Sequence, residues 1–200
     1  MEIIPTKTVT QATVLIIPGL RDHVEAHWQT HLAAQLDKVR SVPPLQTHKL
    51  SCAHRVAAIE AQLEQIDGPV ILVAHSAGVL MTVHWAAQHA MQAQTRHNIK
   101  GALLVTPPNL AQPWPEQYPS PETLKLEGWS PLPDQKLAFP SIVAASLNDP
   151  LADVAAVTTM ANQWGSQWVQ LGAVGHLNPA AGFGPWPQAL TFIQQLDEAI

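Results

Sequence analysis

Val70-Ile71-Leu72-Val73-Ala74-His75-Ser76-Ala77-Gly78 is the stretch on which the reading of this 200-residue chain turns. Five apolar residues in a row, mostly β-branched, fit a strand buried on both faces. Asp67-Gly68-Pro69 stops the chain just before it, and a helical stretch from about Ala77 to Ala93 follows. Ser76 therefore falls on a strand-to-helix turn, flanked by the small residues Ala74 and Gly78. Such a turn needs small neighbours, because backbone passes close on either side. It forces the serine into a strained conformation that lifts its hydroxyl clear of the sheet. The usual pattern is Gly-x-Ser-x-Gly; Ala74 in place of the first Gly adds one methyl group.

The same alternation extends in both directions. Upstream, Ala12-Thr13-Val14-Leu15-Ile16-Ile17 reads as a strand stopped by Pro18-Gly19, followed by a helix over Val24 to Leu36. A brief strand at Arg40 to Val42 ends at Pro43-Pro44, and Val56, Ile59, Leu63 and Ile66 mark another amphipathic helix. Downstream come strands at Gly101 to Val105, Ser141 to Ala145 and Gln167 to Leu171, with helices at about Leu151 to Trp164 and Trp186 to Ile200. Strands alternating with helices predict a mostly parallel sheet covered on both faces, in one domain over residues 1–200. Residues 106–140 are rich in Pro and lack periodicity, which marks either a functional lid or a peripheral excursion.

Composition excludes several classes of function. The chain has 10 Lys and Arg against 15 Asp and Glu, without the basic cluster of a nucleic-acid binder. No apolar run approaches the roughly 20 residues needed to cross a bilayer, and the N-terminus has no secretory pattern, so the reading is a cytoplasmic protein off the membrane. A single cysteine, Cys52, excludes an intrachain disulfide and reads as a packed thiol. His23, His27 and His31 recur at four-residue spacing, yet no Glu follows His23 and no further ligand is evident. They read as a solvated or pocket-lining face, with no metal.

A serine hydroxyl is a weak nucleophile and needs a base, which in turn needs an orienting carboxylate. On a sheet of this kind the order is Ser, then Asp or Glu, then His, each in a loop after a strand. Asp149 follows the Ser141–Ala145 strand, and His176 follows the last strand within Gly175-His176. Asp153 is the competing acid, one helical turn further on. His75, beside the serine, is read as a packing or capping residue. An oxyanion hole would use the N–H of Ala77, at a helix N-terminus, and that of Leu20 or Gly19 in the loop after the first strand. Trp28, Trp114, Trp129, Phe183 and Trp186 are candidates for the pocket wall.

These residues resemble a family of small serine hydrolases that includes retinoblastoma-binding protein 9 and the bacterial YdeN proteins. The resemblance spans nearly the whole chain. It rests on Ile17-Pro18-Gly19, His27-Trp28-Gln29, Ala74-His75-Ser76-Ala77-Gly78, Asn148-Asp149-Pro150, Trp164-Gly165 and the tail from Leu171 to Pro187. It implies a three-layer α/β-hydrolase fold with a reduced sheet and no large cap domain. It also implies a Ser76–Asp149–His176 triad and carboxylesterase-like hydrolysis without a cofactor. The expected substrate is a small-molecule ester, thioester or amide; the alternative is a non-catalytic interaction module on the same fold. Protein partners stay open, and no Leu-x-Cys-x-Glu segment is present for binding pocket proteins.

Overall fold

The computed structural model describes residues 7–89 and 96–199. Six strands form one sheet: β1 Thr13–Ile17, β2 Val39–Ser41, β3 Val70–His75, β4 Ile99–Val105, β5 Ser141–Ala145 and β6 Gln167–Gln170. All neighbouring pairs are parallel, in the order β2-β1-β3-β4-β5-β6. The helices are α1 Trp28–Gln35, α2 Cys52–Leu63, α3 Ala77–Gln88, α4 Pro121–Leu124, α5 Val154–Trp164 and α6 Gln188–Glu198.

Side chains alternate across a strand, so each strand feeds two cores. Leu15, Ile17, Leu72, Ala74 and Leu104 join α2, α3 and α5 on one face. Val14, Ile16, Ile71, Val73, Leu103 and Val105 join α1 and α6 on the other. The apolar run at β3 is explained by this: every residue of the strand is buried, against a neighbour on each edge and a helical layer on each face. Fully burying one such Leu or Ile stabilises the fold by about 1.5–3 kcal/mol.

Chain order along the sheet reverses direction between β1 and β3. In open parallel sheets the crevice outside the carboxyl ends of strands at such a point is where ligands bind. The loops after β1 and β3 are Pro18–Asp22 and the Ser76 turn, so the strand order alone brings the expected oxyanion donors to the nucleophile.

Several expected boundaries move for local reasons. The first helix begins at Trp28 rather than Val24, because His27 caps it by accepting the Gln29 N–H at Nδ1. The helix after β5 starts at Val154, since Asp153 is its N-cap, its carboxylate accepting the Ala156 N–H at 2.8 Å. Asp153 is thereby committed to capping, which takes it out of the acid role considered for it. The C-terminal part of the helix expected to run to Ala93, and Ile200 of the last helix, lie outside the described residues. Within residues 106–140, α4 continues as a wider turn, Lys125–Trp129, broken at Gly128, where φ is +89°.

Candidate active site

Ser76 links β3 directly to α3 with φ +57° and ψ −130°, a region L-residues rarely occupy. Its N–H bonds to the Val105 carbonyl at 2.9 Å, which holds the turn against β4. Gly78 makes the turn possible: a Cβ there would stand 2.3 Å from the Ile17 carbonyl oxygen and 2.8 Å from that of Pro18. The end of β1 thus lies directly on the start of α3. Ala74 sits in ordinary strand register between Ile17 and Leu104, so the extra methyl is simply part of the core.

His176 reaches the same point from the loop after β6. Its Nε2 lies 2.8 Å from Ser76 Oγ, and its Nδ1 lies 3.0 and 2.9 Å from Asp149 Oδ1 and Oδ2. With the proton on Nδ1, that nitrogen donates to the carboxylate while Nε2 accepts from the serine hydroxyl. Asp149 also accepts the Leu151 N–H at 2.9 Å, which fixes its plane. Two polar side chains tie the two loops together. Asn148 Oδ1 accepts the Gly175 N–H at 2.7 Å, and Ser146 Oγ accepts the Val174 N–H at 3.3 Å. All three functional side chains are thus carried on braced backbone.

Among the described residues, the N–H groups of Gly19, Leu20 and Ala77 have no protein acceptor. All three residues line the cleft around Ser76. A Cβ on Gly19 would stand 3.2 Å from the Ser76 Cβ, so the loop abuts the nucleophile. Two side chains to which the sequence alone assigned no role hold that loop. Gln29 Nε2 donates to the carbonyls of Ile17 and Val73, at 3.3 and 3.1 Å, clipping together the ends of β1 and β3. Arg55, only 3% exposed, pairs with the Asp22 carboxylate and also donates to the Leu20 and Lys49 carbonyls. A signal for Arg55 did exist: it lies on the apolar face of α2 beside Cys52, Val56 and Ile59, where a cation needs a buried partner.

The cleft has a volume of about 260 Å³ and is mostly apolar, with Leu50, Pro108, Trp114, Tyr118 and Leu151 in its wall. Of the five aromatic residues expected there, Trp114 lines it and the others do not. Trp129 is fully buried in the core and donates its indole N–H to the Leu50 carbonyl at 2.6 Å. Trp28 packs edge-on against Trp186 at 5.0 Å, and Trp186 and Phe183 lie against the α1/α6 core. Large apolar faces were drawn into the two cores, leaving the wall to smaller residues and Tyr118.

His27 also lines the cleft, and the other two histidines of its row do not. Burial, then the neighbouring His176 and His31, push it down to about 4, so it is neutral at ordinary pH. Among the described residues no group of three or more His, Cys, Asp or Glu side chains is arranged to hold a metal ion. No helix among them is long and apolar enough to cross a membrane.

A parallel sheet with a serine on a strained β3–α3 turn, met by a histidine and an aspartate from later loops, defines an α/β-hydrolase fold carrying a serine-hydrolase constellation. The chain belongs to the serine hydrolase family, whose model matches residues 14–195. Among solved structures it is similar to a YdeN-like hydrolase from Pectobacterium atrosepticum, at 29% identity and a TM-score of 0.76, over 94% of this chain and 91% of that one. The ydeN gene product of B. subtilis matches at 18% identity and a TM-score of 0.64, over 93% and 98% of the two chains. A thioesterase domain from the curacin biosynthetic pathway also matches at 18% and 0.64, over 92% and 91%. No curated protein matches the sequence.

Proposed function

We propose that this protein hydrolyses carboxylic esters, and thioesters by the same route, through an acyl-Ser76 intermediate. The observation that carries the reading is the unbroken relay of 2.8 Å from Ser76 to His176 and 2.9 Å from His176 to Asp149. Nε2 of His176 takes the hydroxyl proton as Oγ attacks the substrate carbonyl carbon. The carbonyl oxygen, now negative, is received by the N–H of Ala77 and an N–H of the Gly19–Leu20 pair. One such donor typically contributes about a hundred- to a thousand-fold in rate. The imidazolium, steadied by Asp149, then protonates the departing alkoxide or thiolate. Water enters, gives its proton to the same nitrogen and attacks the acyl carbon. The intermediate collapses to release the carboxylic acid and restore Ser76.

Every proton in this cycle is handled by side chains of the chain itself, so the reaction calls for no cofactor. Similarity in fold to a thioesterase domain supports including thioesters. The cleft wall favours small organic acyl groups, and the protein acts as one domain in a reducing compartment such as the cytoplasm, consistent with its lone buried thiol.

The test is labelling by a fluorophosphonate probe together with hydrolysis of p-nitrophenyl esters of rising chain length. Wild type should label and turn over, Ser76→Ala should do neither, and Asp149→Asn should fall about 10³- to 10⁴-fold in kcat while remaining folded. Labelling of Ser76→Ala equal to wild type would overturn the assignment.

A further inference from the structure

We propose that the natural substrate carries an anionic group, a carboxylate or its equivalent, that is held by Arg21 at the mouth of the cleft. The proposal rests on the esterase reading above and adds the substrate class.

The permanent charges lining the cleft are those of Arg21 and Asp22. Asp22 is already neutralised by the buried Arg55, and its backbone is fixed by the bond from its own N–H to the Gly19 carbonyl at 3.0 Å. Arg21 has no carboxylate within ion-pair distance among the described residues, and no hydrogen bond of its side chain. Its guanidinium instead lies over the ring of Tyr118, 5.4 Å from the centroid. Tyr118 in turn meets the imidazole of His176 edge-on at 6.0 Å and accepts from the Asn178 amide at 3.4 Å. The cation is therefore parked on a platform that borders the reacting centre, with its donors unspent.

Its place in the chain adds to this. Arg21 directly follows Gly19 and Leu20, which line the cleft beside Ser76 with their N–H groups unbonded among the described residues. The Leu20 carbonyl is held by Arg55 at 3.5 Å, so the backbone from which Arg21 projects is anchored. An anion a few bonds from the scissile carbonyl falls within reach of the guanidinium. A planar fork of donors suits a carboxylate in two-point contact. The rest of the wall, Asp22 aside, is mostly apolar, its polar side chains are uncharged amides, hydroxyls and imidazoles, and Arg21 is the one permanent cation among the lining residues. The contact with the Tyr118 ring is made without a hydrogen bond from the guanidinium, so the ring contact and the carboxylate contact can coexist.

Two pairs of esters separate the possible positions of the anion. 4-Nitrophenyl hydrogen glutarate and its neutral methyl ester differ only in charge on the acyl side. 4-Acetoxybenzoate and its methyl ester differ only in charge on the leaving group. Wild type should prefer the anionic member of one pair by at least about five-fold in kcat/KM, the scale of a partly exposed ion pair with good geometry. Arg21→Gln should erase that preference, Arg21→Lys should restore part of it, and added salt should weaken it in wild type.

A second measurement does not depend on turnover. In Ser76→Ala, isothermal titration calorimetry should report tighter binding of 4-nitrophenyl hydrogen glutarate than of its methyl ester, and Arg21→Gln on that background should equalise the two. If wild type hydrolyses nothing, the esterase reading falls while this binding comparison still decides the anion site. Equal treatment of charged and neutral twins in both pairs and in binding, or identical losses in Arg21→Gln for both members, would overturn the proposal.

Discussion

The imidazole of His75 donates its Nε2–H to the backbone carbonyl of His176 at 2.9 Å, so the residue before the nucleophile grips the backbone of the base. The His75 ring is 5.0 Å from that of His176 and 4.6 Å from that of His27. Burial, then the charges of His176 and His27 when protonated, hold His75 well below its ordinary pKa. It stays neutral, with its proton committed to the carbonyl. This is the packing role expected for His75, with a directional bond added.

His75 is therefore a positioning residue for His176. His75→Phe keeps the ring volume and removes the donor, and should lower kcat about ten-fold with little change in KM, the effect of one lost buried hydrogen bond. His75→Gln, which restores an N–H donor, should recover part of the loss. Steady-state kinetics of both variants check this; a rise in KM alone, or no rescue by Gln, would mean that the residue only fills space.

Much of this arrangement was legible in the chain, and the gaps have physical causes. β3 and β5 were readable because strands buried on both faces are apolar throughout. The positions of Ser76, Asp149 and His176 followed from strand ends, since each loop at one edge of a parallel sheet opens on the same crevice. Strand order left no local trace, because it is set by how crossovers pack. Gln29 gave no hint of its role, and Arg55 only that of a cation on an apolar helix face: their partners are carbonyls and an aspartate brought near only by folding. The aromatic candidates misled for the opposite reason, as a large apolar ring fills a core more often than it lines a cleft, and four of the five packed in or against the cores.

Acid should destabilise this fold earlier than its carboxylates would suggest. His27 is held near 4 in the folded chain against 6.5 for the free side chain, and His75 is also depressed. Between those values the unfolded chain binds more protons than the folded one, so unfolding gains as pH falls from about 6.5 toward 4. His27 alone accounts for on the order of 3 kcal/mol across that window, fully present only above about pH 7. Urea midpoints measured from pH 4 to 8 should climb with pH over this range. His27→Asn, which keeps a helix-capping side chain without a titrating ring, should flatten the slope. An unchanged slope in that variant would show that the protons go elsewhere.

Two glycines offer a contrast between crowding and conformation. Gly78→Ala places a methyl against the Ile17 and Pro18 carbonyls, which are backbone at the end of β1 and just beyond it and cannot swing aside as a side chain would. It should cost several kcal/mol of stability by overpacking and push the Gly19–Leu20 loop away from Ser76. Gly172→Ala meets nothing within 4 Å and bears only the strain of φ +81°, about 1 kcal/mol. Thermal denaturation and fluorophosphonate labelling rates of both should show a large joint loss for Gly78→Ala and a small shift in melting temperature, with normal labelling, for Gly172→Ala.

Gln29 separates the relay from the oxyanion donors. Its amide joins the carbonyls of Ile17 and Val73, while Ser76, His176 and Asp149 make none of their contacts through it. Gln29→Leu conserves bulk but leaves both carbonyls without that donor, at about 1–3 kcal/mol of stability. With the clip gone, the loop that carries Gly19 and Leu20 is held from one side only, by Arg55. Acylation should slow by roughly ten- to a hundred-fold, because a donor displaced from the developing oxyanion loses most of its effect. Gln29→Glu presents acceptors where donors are needed and should fare worse than Leu at neutral pH. Pre-steady-state acylation rates, set beside melting temperatures, decide the matter: a fall in stability with acylation unchanged would reduce Gln29 to a structural brace.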